Sequence, residues 1–304
     1  MTRILPFIGI LSVLIWTGCD DDGDMVTLPT QRTILELSFS GVEPLVNGYH
    51  YEGWTIIDGQ AVSTGKFNVD ATGGLITLTS QAISNGQFDT GVDLSASSAV
   101  IITIEPAGDV DAVPAETHYL AGDVSNNSAS LTVGAPQAIA DDFSSALGNY
   151  ILATPTDGEN TNEKSGIWFL DLSSGSPAQG LQLPTLPAGW EYEGWAVING
   201  TPVTTGKFTS AVIADQSAPY SDSEPGPPFP GEDFLKNAPD GLTFPTDLSG
   251  GAAVISIEPM PDDSPVPFTL KPLVGTIPGN AGDHITYSME NQWTESPTGT
   301  ASIL

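Results

Sequence analysis

Hydrophobic and polar positions alternate along short stretches of this chain, with the period of two that a half-buried strand requires. Ile34-Leu35-Glu36-Leu37-Ser38 is one such run and Leu75-Ile76-Thr77-Leu78-Thr79 is another. Val100-Ile101-Ile102-Thr103-Ile104-Glu105 is more continuously apolar, as a central strand is, and Pro106 stops it because proline cannot donate to a ladder. Further strands are expected at 118–122, 130–133 and 150–154, the last one finishing a first domain. Outside the extreme N-terminus no window holds a helical period. The expectation is an all-β protein.

One pattern is written twice. Residues 51–67 read YEGWTIIDGQAVSTGKF and residues 192–208 read YEGWAVINGTPVTTGKF, identical at 11 of 17 positions. Asp58-Gly59 and Asn199-Gly200 sit between apolar, β-branched runs, and both pairs tolerate the positive φ angles of a two-residue type I′ turn. Each copy is therefore expected to be a β-hairpin. Gly65 and Gly206, just before each Lys-Phe, mark an expected bulge.

The rest of the order repeats as well. Leu170-Asp171-Leu172-Ser173 matches Leu35-Glu36-Leu37-Ser38, and Val254-Ile255-Ser256-Ile257-Glu258-Pro259 matches the first Glu-Pro strand. Leu273-Val274-Gly275 matches Leu120-Ala121-Gly122. Trp54 and Trp195 are 141 residues apart and Glu105 and Glu258 are 153 apart, so 12 residues are inserted between them in the second copy (153 − 141). The insertion falls in 218–233, which is too proline-rich for a strand and is expected to be an exposed loop. Two tandem antiparallel β-sandwich repeats are expected, at 31–148 and 149–304, formed by an internal duplication.

Charge narrows the partners. There are 37 acidic residues against 7 basic ones, a net charge of −30. Such a chain has no basic patch for a phosphate backbone, which argues against nucleic acid. A solvated acidic surface is the plainer reading, and carboxylate binding of calcium is the sharper one. Cys19 is the only cysteine, so no intrachain disulfide forms.

The N-terminus gives that cysteine a role. Arg3 and the apolar run Ile8–Trp16 fit an export signal. Trp16-Thr17-Gly18-Cys19 resembles the lipobox of bacterial lipoproteins, with Trp16 where an aliphatic residue is usual. The resemblance implies a signal peptide over 1–18, cleavage before Cys19, and a lipid on Cys19 that holds the protein to a membrane. Residues 19–30 would form a tether, and Asp20-Asp21-Asp22-Gly23-Asp24 resembles the surface-export tether of lipoproteins from Bacteroidetes-like bacteria. The implied location is the outer membrane, at the cell surface, with the periplasmic face as the other orientation.

A second resemblance rests on Trp54, Gly65, Phe67 and Thr103-Ile104-Glu105-Pro106-Ala107-Gly108, and again on Trp195, Gly206, Phe208 and Ser256-Ile257-Glu258-Pro259. This order is similar to the extracytoplasmic C-terminal β-sandwich domain of anti-sigma-K factors. Met260-Pro261 replaces Ala-Gly in the second copy. An anti-sigma factor also needs a cytoplasmic sigma-binding domain and a membrane-spanning helix, which this sequence does not carry. The resemblance therefore implies fold and export, with a sensory or adhesive role, rather than sigma regulation.

Candidate chemistry is sparse. Nucleophilic catalysis needs a base beside the nucleophile, yet His50 is replaced by Glu191 in the second copy, and no Gly-X-Ser-X-Gly elbow accompanies the three histidines. Glu52 with Glu193, and Glu105 with Glu258, are retained and could in principle hydrolyse a glycosidic bond. Cross-strand pairing of Glu52 with Lys66 and of Glu193 with Lys207 is the plainer expectation, and the two tryptophans are expected to fill cores. Two acidic loops are candidate cation sites: Asp157, Glu159, Asn160, Asn162 and Glu163, and Asp222, Glu224, Glu232 and Asp233. Neither has EF-hand spacing.

The expectation is a non-enzymatic binding, sensory or structural module of the cell envelope, without a cofactor, whose partner is an envelope protein or a glycan. A calcium- or glycan-binding module, an accessory to sigma/anti-sigma signalling, and a carboxylate-dependent glycoside hydrolase are the alternatives.

Overall fold

A computed structural model describes residues 31–262 and 264–304. Cys19, the signal segment and the acidic tether lie outside the described residues. The chain runs through β1 (Ile34–Ser40), β2 (His50–Ile57), β3 (Gln60–Val69), β4 (Leu75–Ile76), β5 (Gln87–Asp89), β6 (Ser97–Glu105) and β7 (His118–Asp123). Next come β8 (Ser128–Thr132), β9 (Leu147–Leu152), β10 (Gly166–Trp168), β11 (Leu170–Asp171), β12 (Ala178–Gln179) and β13 (Leu181–Gln182). The remainder is β14 (Trp190–Ile198), β15 (Thr201–Phe208), β16 (Gly231–Asp233), β17 (Ala252–Pro259), β18 (Leu273–Thr276), β19 (Tyr287–Ser288), β20 (Glu290–Asn291) and β21 (Thr298–Ile303). The protein is all-β, and every strand pair is antiparallel. No helix among the described residues is long and apolar enough to cross a membrane.

Nine strands form the first sheet, in the order β4-β3-β2-β6-β7-β8-β21-β1-β5. It curls over its own apolar face, so that Phe39 on β1 stacks on Phe67 on β3, ring centroids 5.6 Å apart. A five-stranded sheet, β15-β14-β17-β18-β20, repeats the order β3-β2-β6-β7 of the first. A second small sheet, β13-β9-β10-β16 with β19 beside β9, covers it. Tyr51 packs on Phe67 and Tyr192 on Phe208, each pair 5.6 Å apart and directly opposed in register. Such cross-strand aromatic pairs are the strongest packing units a sheet offers.

Both hairpins turn where expected. Asp58 and Gly59 have φ of 51° and 77°, and Asn199 and Gly200 have 53° and 83°, as a type I′ turn demands. Gly53 opposes Gly65 while Trp54 opposes Ser63, so Thr64 is an extra residue on β3; Thr205 is its counterpart on β15. Gly65 and Gly206 take φ of 133° and 120°, which a side chain would resist, and thus make the bulge.

Four expectations are corrected. Tyr150–Leu152 does not finish the first sheet: β9 pairs with β10, β13 and β19, all from the second half. The strand expected over 75–79 stops after Ile76, because Thr77–Gln81 closes a turn through Ser80 at φ 61°. The insertion is not wholly an exposed loop. Its end forms β16, buried throughout, whose Asp233, Glu232 and Gly231 pair with Gly166, Ile167 and Trp168. The boundary at 148/149 is also crossed, since β21 lies between β8 and β1, and residues 31–304 make one compact unit.

Candidate functional site

Strand period puts His50, Glu52 and Trp54 of β2 on one face, and Thr103 and Glu105 of β6 on the same face beside them. This is the face opposite the main core, where Trp54 packs with Ile101, Ala121 and Ala138. Trp54 is 1% exposed and Glu105 also 1%. The indole Nε1–H donates to Thr103 Oγ1 at 2.9 Å, and the Thr103 hydroxyl donates to Glu105 Oε1. The same carboxylate oxygen accepts the backbone N–H of Ala115 at 3.0 Å. Glu105 thus ties the loop that follows its own strand back to the strand end.

The second copy builds the same chain of donors. Trp195 Nε1–H donates to Ser256 Oγ at 2.7 Å, the Ser256 hydroxyl to Glu258 Oε1, and Phe268 N–H to that oxygen at 3.0 Å. Across the hairpin, Ser63 donates to Glu52 Oε1 and Thr204 to Glu193 Oε1. The tryptophans are buried, as expected, but on the outer face rather than in the central core. A buried indole needs an acceptor and a buried carboxylate needs donors, so each relay satisfies both ends with a single hydroxyl.

A lysine adds a second anchor. Lys66 opposes Glu52 in register and lies 3.5 Å from its Oε2; it also donates to Asp109 Oδ2 at 2.7 Å and to the Asp109 carbonyl at 2.9 Å. Lys207 opposes Glu193 in register, but its ammonium reaches Asp262 at 2.9 Å and Glu191 at 3.2 Å instead. Burial alone would depress the Lys207 ammonium, and the surrounding Asp262, Glu193 and Glu191 outweigh it and raise it. Asp109 and Asp262 escape the motif reading, although both lie four residues beyond the Glu of Glu-Pro, at the same 153-residue offset.

The two copies differ where His50 becomes Glu191. His50 pairs across the ladder with Glu105, whereas Glu191 pairs with Glu258. Burial pushes Glu258 up to about 8 and Glu193 up to about 7, against the hydrogen bonds that favour their ionised forms. Two triads bring one ligand atom each within 4.8 Å of one another: His50, Glu52 and Asp109, and Glu193, Glu258 and Asp262.

The acidic loops behave differently. Asp157 accepts Glu159 N–H at 2.8 Å and the Thr161 hydroxyl at 3.1 Å, and Glu163 accepts Thr154 N–H at 3.1 Å. Asp222 and Glu224 are exposed, while Glu232 and Asp233 are fully buried beneath them. Asp233 accepts the Thr156 N–H and the Trp168 indole, both at 2.7 Å, and Glu232 accepts the Ser221 hydroxyl. The four residues expected as one ligand set are therefore split between surface and interior. A cavity of about 340 Å³ opens beside the exposed pair, lined by Trp168, Asp215, Ser221, Asp222 and Glu224. Burial pushes both Asp215 and Glu232 up to about 7.

No protein-family model, curated protein or solved structure matches this chain.

Proposed function

We propose that this chain is a cell-envelope lipoprotein in which two related β-modules, of the anti-sigma-K C-terminal kind, serve as a non-enzymatic binding or scaffolding unit. One observation carries the reading: the acids and tryptophans common to both copies are buried, and a neighbouring hydroxyl takes one oxygen of each acid and the indole N–H of each tryptophan. Glu52, Glu105, Glu193 and Glu258 are at most 4% exposed and so do not flank an open groove, and Glu105 and Glu258 hold the loops beyond their strands. A glycosidase using these carboxylates would need them facing substrate. The partner then meets what the copies do not share, first of all the insertion around Asp222 and Glu224. The lipid on Cys19 and the acidic tether would hold the modules at the outer membrane, facing outward.

Two measurements test this reading. A clickable palmitate fed to a bacterium expressing the full chain should label the wild type and send it to the membrane fraction, and Cys19→Ala should abolish both. An unlabelled wild type would remove the lipoprotein. Incubation with a panel of polysaccharides should release no reducing sugar; release that Glu105→Gln or Glu258→Gln abolishes would make the protein a hydrolase.

A further inference from the structure

We propose that Glu193, Glu258 and Asp262 form a binding site for a hard divalent cation of the calcium class. This inference stands apart from the functional proposal above and does not depend on it.

Charge balance is the first argument. Four carboxylates converge here: Glu191 and Glu193 from β14, Glu258 from β17, and Asp262 from the loop beyond it. The Lys207 ammonium contacts two of them, Glu191 and Asp262. Lys271 feels Glu258 from the neighbouring segment, and burial lowers its proton affinity. The first copy has one carboxylate fewer, because His50 stands where Glu191 does. There, Lys66 spans Glu52 and Asp109, filling the centre with its own positive charge. In the second copy Lys207 sits on Glu191 and on the rim acid Asp262. No ammonium among the described residues then comes within 4 Å of Glu193 or Glu258.

Unmet hydrogen-bonding capacity is the second, independent argument. Oε1 of Glu193 and Oε1 of Glu258 are engaged by Thr204, Ser256 and Phe268. The other oxygen of each, Oε2, is buried without a hydrogen-bond partner, in residues 4% and 1% exposed. A buried carboxylate oxygen with no donor is costly, at about 1–3 kcal/mol or more, and the two carboxylates, which bring an oxygen each within 4.8 Å of one another, repel. One counter-ion relieves both. Three oxygens mutually within 4.8 Å leave a centre about 2.8 Å or less from each, close to calcium–oxygen bond lengths of about 2.3–2.6 Å. An all-carboxylate donor set selects calcium, magnesium or manganese over softer metals. Half-buried Asp262 forms the rim through which an ion would enter.

The test is a calcium titration of the purified full-length chain, stripped by chelator, at pH 7.5. Saturating calcium should raise the melting temperature by about 5 °C, and calorimetry should show one site. Glu258→Gln and Glu193→Gln remove a repelling charge and so fold readily; each should weaken calcium binding at least tenfold. Asp262→Asn, at the rim, should weaken it as well, and Asp222→Asn with Glu224→Gln should leave it unchanged. The proposal falls if calcium, magnesium and manganese all leave the wild-type melt unmoved. It falls equally if the response survives in both Glu258→Gln and Glu193→Gln. An apo protein that gains stability on acidification through pH 8–6, with no response to cations, would show that the pair shares a proton instead.

Discussion

Glu191 and Glu258 are direct partners across the β14–β17 ladder, at the register position where His50 faces Glu105 between β2 and β6. Two carboxylates opposed in this way destabilise a sheet unless something neutralises one of them. The substitution that separates the copies therefore changes the electrostatics of an otherwise shared framework. Glu191→His should restore the first copy's balance. In chelator at pH 7.5 it should stabilise the protein by about 1 kcal/mol, read from urea unfolding. A loss of stability would show that Glu191 is needed where it stands.

The hydroxyl relays lend themselves to subtraction. Thr103→Val keeps the shape of the side chain but removes both the acceptor for Trp54 and a donor to Glu105. Each is buried, so the expected cost is about 2–4 kcal/mol, and Ser256→Ala should cost a similar amount in the second copy. Changes below about 0.5 kcal/mol in both would mean the relays contribute little.

Lys66 holds the loop after the first Glu-Pro through two contacts to Asp109. Lys66→Met leaves buried Glu52 with no ammonium and frees that loop. The expected loss is about 1–3 kcal/mol, with faster amide exchange over 106–114 while 118–123 stays protected. Uniform exchange across both segments would contradict the anchoring role.

Stability should also fall as pH rises through neutrality. Glu232 is raised from its ordinary value near 4.5 to about 7, chiefly by burial, with the neighbouring charge of Asp215 adding to it. The folded state then holds a proton that the unfolded state releases, so its stabilisation is full below about pH 4.5 and is lost as pH climbs to about 7. Asp215, also near 7, acts in the same direction. The expected loss is on the order of 1–3 kcal/mol per group. Glu232→Gln should flatten the profile between pH 5 and 7, which a series of urea melts would reveal; an unchanged slope would contradict the assignment.

Local chemistry made the hairpins readable. Asp58-Gly59 and Asn199-Gly200 specify their turn through backbone conformation alone, and Gly65 and Gly206 specify the bulge. The Glu-Pro strand was readable for the same reason, since its apolar run and its stop lie within a few residues. Long-range pairing was not. Nothing near Tyr150 says that it pairs with Tyr287, or that Leu152 pairs with Ile167, rather than with strands of the first half, because short apolar runs carry no address. The proline-rich insertion hid β16 as well: three residues, two of them acidic, read as loop until Thr156, Trp168 and Ser221 supply the donors that let Glu232 and Asp233 go inside. The site was half legible. Glu52, Glu105, Glu193 and Glu258 stood out as repeated, yet repetition did not say whether they faced solvent. Lys207 opposes Glu193 as expected, but Glu191 and Asp262 hold its ammonium, an outcome of competition among neighbours that spacing cannot express.

β21 occupies the slot between β8 and β1, pairing Thr298–Ser302 with Ser128–Thr132 and Thr298–Ile303 with Leu35–Ser40. A ribosome building this chain delivers β1 and β8 long before it delivers the strand that joins them. Until residue 303 is free of the machinery, β1 and β8 each present a bare ladder edge to whatever else is extended nearby. The first half should therefore mature after the second rather than before it. A nascent chain stalled at residue 290 should be cut by protease within 34–40, and release of the remaining residues should protect it. Vectorial synthesis and the order of assembly run in opposite directions here, which makes the hexapeptide Thr298–Ile303 the timer for the first sheet.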